Sequence, residues 1–138
     1  MKQLHTIETY LLDLDGTFYL GDHLFPWSIP FVETMERLGK RFVFVTNNSS
    51  QNGNYYVEKI RKMGVNITAD QVFTAGQATI FYLKKYNYPK KLYLVGTPAL
   101  EEEFTEAGFI LTDKDPETIV LGFDMTLTYE KLRIACDF

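Results

Sequence analysis

A chain of 138 residues, 46% hydrophobic and 23% charged, has the composition of a soluble globular protein and enough material for one ordinary core. A net charge of −4 leaves no basic stripe to neutralise phosphates, which argues against a nucleic-acid partner, and no stretch is apolar enough to span a bilayer, which argues against a membrane one. The single Cys136 cannot close an internal disulfide, which fits a reducing, cytoplasmic setting.

An apolar run predicts a first, buried strand over Ile7 to Leu14, leading into Asp13-Leu14-Asp15-Gly16-Thr17. On an extended backbone successive side chains alternate, so Asp13 and Asp15 share one side and Leu14 takes the other. Two carboxylates held together repel and need a shared proton or a cation. Their oxygens suit a hard divalent ion, Mg2+ above all. Gly16-Thr17 reads as the loop the strand feeds. Gly21 to Pro30, with Pro26 and Pro30, predicts a longer loop.

Phe31, Met35 and Leu38 recur at helical spacing, so Ile29 to Leu38 predicts an amphipathic helix stopped by Gly39. Arg41 to Val45 is almost continuously apolar, as in strands of a parallel sheet covered on both faces. Thr46 to Gly53 reads as a polar loop, Tyr55 to Met63 as a helix ending at Gly64, and Val72 to Thr74 as a short third strand. The pattern then restarts with a helix over Ala78 to Tyr86 and a strand over Lys91 to Val95. Pro98 opens a helix over Ala99 to Glu106. Thr118 to Leu121 predicts another strand, and Thr128 an N-cap for a last helix from Tyr129. The alternation predicts a three-layer α/β fold with a parallel sheet and right-handed crossovers. In such sheets ligands sit beyond the carboxyl ends of the strands, where the Asp13 and Thr46 segments both fall.

Asp13-Leu14-Asp15-Gly16-Thr17 resembles the first motif of the haloacid dehalogenase (HAD) superfamily of phosphotransferases. The Phe18-Tyr19 continuation, with Thr46-Asn47-Asn48-Ser49-Ser50, resembles its NagD or 4-nitrophenylphosphatase branch. The resemblance implies a Rossmann-like HAD core in residues 1–76, carrying both motifs, and part of an inserted α/β cap domain in residues 77–138. It also implies a Mg2+-dependent phosphatase that hydrolyses small phosphorylated metabolites through an aspartyl-phosphate. Asp13 would be the nucleophile and Asp15 the general acid and base, with Mg2+ held by the Asp13 carboxylate and the Asp15 backbone carbonyl. Gly16 would let the backbone approach the substrate closely. Thr46 and Asn47 would bind the transferring phosphoryl group through hydroxyl and backbone N–H donors. For Asn48, Ser49 and Ser50, ligand contact competes evenly with simple capping of the next helix. Asp124 echoes a strand-end acid but lacks the second carboxylate and the Gly-Thr, so a structural role at the end of a cap strand outweighs one facing the substrate. Glu101, Glu102 and Glu103 read as a solvated helix face, and His5 and His23 have no metal-ligand spacing.

The resemblance further implies a lysine that neutralises phosphoryl charge and a Gly-Asp pair followed by another acid that completes the Mg2+ shell. Neither is found past Gly76, and the chain stops at Phe138 inside the last expected helix. The sequence is therefore expected to hold the first half of a phosphatase, weak or inactive alone, whose first strand presents an open apolar edge, so that the chain either pairs with another chain along it or is unstable. The rival expectation is a non-catalytic remnant that binds phosphate or a protein partner. A receiver domain fits less well, because its phosphorylated aspartate lies on a later strand.

Overall fold

Strand β1 (Thr9–Asp13) is the first element of a computed structural model that describes residues 6–138. His5 lies outside the described residues. Two units are present: one reaches Thr46 and resumes over Gly53–Phe73, and the other comprises Asn47–Asn52 and Thr74–Phe138.

In the first unit, β1 is followed by an antiparallel hairpin of β2 (Tyr19–Leu20) and β3 (His23–Leu24), then α1 (Ser28–Arg37), β4 (Arg41–Thr46), α2 (Gly53–Lys62) and β5 (Val72–Thr74). The sheet order is β1-β4-β5. Strands β1 and β4 run parallel, paired from Thr9 with Arg41 to Asp13 with Val45. Both crossovers step the same way along this order, so right-handed connections put α1 and α2 on one face. The packing agrees. Val32 and Met35 of α1 and Tyr56, Val57 and Ile60 of α2 share one buried cluster with Phe42 and Phe44 of β4. The opposite face carries Leu11, 72% exposed, and Phe73, which lies between the buried Val72 and Thr74.

The expected loop from Gly21 to Pro30 is shorter than the sequence suggested. Strand β3 takes His23 and Leu24, and α1 starts at Ser28. Pro30 is then the third helical residue, where a backbone N–H has no intrahelical partner to lose. Helix α1 ends as expected, with Gly39 at φ +63°.

The second unit contains α3 (Ala75–Lys85), β6 (Lys91–Val95), α4 (Pro98–Glu106), β7 (Ile110–Leu111), β8 (Thr118–Leu121) and α5 (Tyr129–Asp137). Its parallel sheet has the order β7-β6-β8. Leu92 and Leu94 pack with Leu83, Leu100, Phe104 and Phe109 on one side of β6. On the other side the Tyr93 hydroxyl donates to the Lys131 carbonyl of α5 at 3.3 Å, so this sheet is covered on both faces. Helix α3 begins three residues before the expected Ala78 because Thr74 caps it. The Thr74 hydroxyl accepts from Gln77 N–H at 3.1 Å, and the Gln77 side chain returns to Thr74 N–H at 3.2 Å. Thr97 and Thr128 cap α4 and α5 through their hydroxyls alone, which accept from the Leu100 and Lys131 N–H groups. Among the described residues no helix is long and apolar enough to cross a membrane.

Asp124 lies in the turn between β8 and α5, with its side chain only 1% exposed. One carboxylate oxygen accepts from Lys131 Nζ at 2.7 Å, and the other accepts from the Thr126 N–H and hydroxyl. Lys131 also donates to the Gly96 carbonyl at 2.8 Å, tying the turn to the end of β6. Burial works to raise the Asp124 carboxyl, but the hydrogen bonds from Lys131 and Thr126 outweigh it and hold the group below its ordinary value. A lowered carboxyl contributes stability that is present above the unfolded value, 3.8, and lost as pH falls through the folded one. The melting temperature should therefore fall below about pH 4. Asp124→Asn should cost about 1–3 kcal/mol at neutral pH and remove this part of the acid sensitivity. Thermal melts from pH 3 to 7 of both proteins check it, and parallel curves would contradict it.

Candidate active site

Asp13 is the last residue of β1 and stands in register with Val45, so Thr46, the next residue of β4, lies at the same end of the sheet. The alternation of β1 carries one step beyond the strand. Leu14 is completely buried, while Asp13 and Asp15 on either side of it are exposed. Both carboxylates thus emerge together, beside a strand whose own end carries a hydroxyl.

The chain then winds tightly. The Leu14 carbonyl accepts from the N–H groups of Thr17, Phe18 and Tyr19 at 3.2, 2.9 and 3.3 Å. Gly16 takes φ +81°, and its N–H donates to the Tyr19 carbonyl at 2.8 Å. A side chain at this φ would strain the turn, which gives the glycine a local reason. The winding returns Tyr19 to Asp15, where its hydroxyl donates to Oδ2 at 3.5 Å. Tyr19 is fully buried, with the Lys59 ammonium 4.2 Å above its ring centroid. Burial, then the Asp15 charge, pushes its phenol well above the ordinary range, so it stays a donor. Burial also raises Tyr56, which feels the Asp15 charge as well.

The Thr17 hydroxyl donates to Asp13 Oδ2 at 3.2 Å. The indole N–H of Trp27 donates to the Thr17 carbonyl at 3.3 Å, which braces the loop from outside. Thr46 is buried. The first unit therefore holds Asp13, Asp15, Gly16 and Thr46, with Thr17, Tyr19 and Lys59 around them. Sequence reasoning assigned no role to those three. The Tyr19 contact depends on a turn that no periodicity reveals.

Asn47 and Asn48 belong to the second unit. Asn47 is exposed. Asn48 Oδ1 accepts from Ser50 N–H at 2.9 Å, a local turn of the kind asparagine favours. The Ser49 hydroxyl accepts from Phe123 N–H at 2.7 Å, and the Ser50 carbonyl accepts from the Thr97 hydroxyl at 2.8 Å. Ser49 and Ser50 are thus engaged in fixing their own segment.

The donor set at Asp13 and Asp15 is all oxygen. It fits Mg2+, which is held through one or two carboxylates and completes its shell with water and phosphate. Among the described residues no group of three or more Asp, Glu, His or Cys side chains could hold a metal unaided.

The family model of haloacid dehalogenase-like hydrolases matches residues 10–110. The 5'-nucleotidase YutF of Bacillus subtilis is 31% identical over 133 residues, covering 96% of this chain and 52% of that protein. The acid sugar phosphatase of Staphylococcus aureus is 34% identical over 136 residues, covering 98% of this chain and 51% of its own length. The structure of 4-nitrophenylphosphatase from Thermotoga maritima superposes with a TM-score of 0.94 and 46% identity, over 97% of this chain and 51% of that one. The chain spans about half the length of these relatives.

Proposed function

Because the chain belongs to the haloacid dehalogenase-like hydrolase family, we propose that it carries the nucleophile half of a Mg2+-dependent phosphatase for small phosphomonoesters. The observation that supports this most is the pair of exposed carboxylates, Asp13 and Asp15, flanking buried Leu14 at the same sheet end as Thr46. A carboxylate oxygen of Asp13 attacks phosphorus as the ester P–O bond breaks, forming an aspartyl-phosphate. Asp15 gives its proton to the departing oxygen. Water then attacks the aspartyl-phosphate, Asp15 takes the water's proton, and inorganic phosphate leaves.

Thr17 orients the attacking carboxylate through Oδ2, and Tyr19 orients Asp15 through its own Oδ2. Thr46 and Asn47 grip the phosphoryl oxygens, and Gly16 leaves room for them. Asn48 stiffens the turn that presents Asn47. The Asp13 carboxylate and the Asp15 backbone carbonyl would hold Mg2+, which, when bound, offsets negative charge on the attacking and phosphoryl oxygens.

On this reading residues 1–76 form the catalytic core, and residues 77–138 form part of a cap that shapes substrate choice. The protein works in the cytoplasm. β1 is an edge strand in the order β1-β4-β5, and that edge is where the chain associates with another copy.

Chelation tests the metal. Hydrolysis of 4-nitrophenyl phosphate should stop in excess EDTA and return when Mg2+ exceeds the chelator, while the circular dichroism spectrum stays unchanged. Hydrolysis that persists in EDTA would overturn the metal-dependent reading.

A further inference from the structure

Trp27 is the chain's only tryptophan. It precedes the first residue of α1, in the N-cap position, yet makes no side-chain capping bond. Tryptophan is not a capping residue, so the start of the helix does not call for it. It is not core either, since it is 57% exposed. Nevertheless its ring is fixed. Phe25 stacks against it with centroids 4.7 Å apart and planes 8° from parallel, and its N–H is bonded to the Thr17 carbonyl. Phe25 covers one face of the indole, which leaves the opposite face as the accessible one. An exposed aromatic held in one orientation has already lost the freedom that binding would otherwise take from it.

The place of this pair is informative. Thr17 accepts from Trp27 through its carbonyl and donates through its hydroxyl to Asp13 Oδ2, so a single residue separates the indole from the nucleophile. Asp15, Gly16 and Thr17 are consecutive in the turn that Trp27 braces. In the proposed reaction the leaving oxygen takes its proton from Asp15, so the leaving group lies beside this turn.

We propose that Phe25 and Trp27 form a stacking platform for the planar leaving group of the substrate, and that the site prefers phosphomonoesters of aromatic alcohols over aliphatic ones. The platform rests on the phosphatase reading for its substrate, but its binding readout is separate from turnover. Ring stacking corresponds to an affinity gain on the order of 3- to 10-fold. Phenyl phosphate is the probe and inorganic phosphate the comparator, each titrated into the chain with Mg2+ while Trp27 emission is followed.

Phenyl phosphate should change the emission saturably and bind on the order of 3- to 10-fold more tightly than inorganic phosphate. Phe25→Leu should lose most of that margin. Trp27→Leu, read by calorimetry, should lose it too, and because Trp27 is largely exposed this variant opens no core and guards against a folding failure at Phe25. Equal affinities for the two ligands, an unperturbed emission, or a margin that survives in Trp27→Leu would overturn the platform. A margin that persists while Asp13→Asn turns over like the parent would leave the platform standing and remove the phosphatase reading. A lost margin beside an inactive Asp13→Asn would do the reverse.

Discussion

Asp13→Asn is expected to lower hydrolysis of 4-nitrophenyl phosphate on the order of 10^4-fold, about 5.5 kcal/mol of barrier. The substitution conserves shape. An asparagine oxygen can still accept from the Thr17 hydroxyl, and position 13 is exposed at the end of β1, so the register of Asp13 with Val45 and the burial of Leu14 need not change. What disappears is the charged oxygen able to bond to phosphorus, since a carboxamide is a poor nucleophile. The same change removes one carboxylate from the proposed Mg2+ shell, so loss of nucleophile and loss of metal act together and their effects do not add. Nitrophenolate release by parent and variant, with a melting curve for each, separates chemistry from folding. Equal rates at equal stability would refute catalysis at Asp13 and leave the rival reading, a module that binds phosphate without turning it over.

The strands most legible in the sequence were those whose burial is one-dimensional. β4, β5, β6 and β8 have apolar runs bounded by polar or glycine-containing segments, and the structure starts each at its expected residue. β2, β3 and β7 have two residues each, too few for alternation to register. The start of α3 was present in Thr74-Ala75-Gly76-Gln77 as a capping box, which a helix expected only from Ala78 leaves out. Strand order was not legible at all. Apolar strands say that they are buried but not beside which neighbour, so the order β1-β4-β5 and the placing of α1 and α2 on one face emerge only from the fold.

The local geometry of the acids divides in the same way. The emergence of Asp13 and Asp15 around Leu14 follows from period-two alternation alone. The Tyr19 contact follows from three N–H groups converging on one Leu14 carbonyl, and the sequence holds no repeat that encodes it. The Asp124–Lys131 pair was hidden for a similar reason. The two residues meet across a turn and a helix cap, and because Asp124 precedes α5 their seven-residue spacing cannot be read as one helix face.

Asp15→Asn should separate the two steps of the reaction. An acid is needed where the departing oxygen is a strong base, as with an alkyl phosphate, and hardly at all for 4-nitrophenolate, which is a stable anion near neutral pH. The first step with 4-nitrophenyl phosphate should therefore survive, whereas that with an alkyl phosphate should fall on the order of 10^2- to 10^4-fold. The second step needs a base for water whichever substrate came first, and the carboxamide supplies none. Rapid mixing of Asp15→Asn with 4-nitrophenyl phosphate should then show a burst of nitrophenolate, at most one equivalent per chain, followed by slow turnover as the aspartyl-phosphate accumulates. Tyr19 still finds an oxygen acceptor at position 15, so the turn built on the Leu14 carbonyl holds. Steady turnover at the parental rate would remove Asp15 from the chemistry. A slow rate with no burst would mean that the Asp15 carboxylate serves the attack on phosphorus itself and not the proton transfers assigned to it.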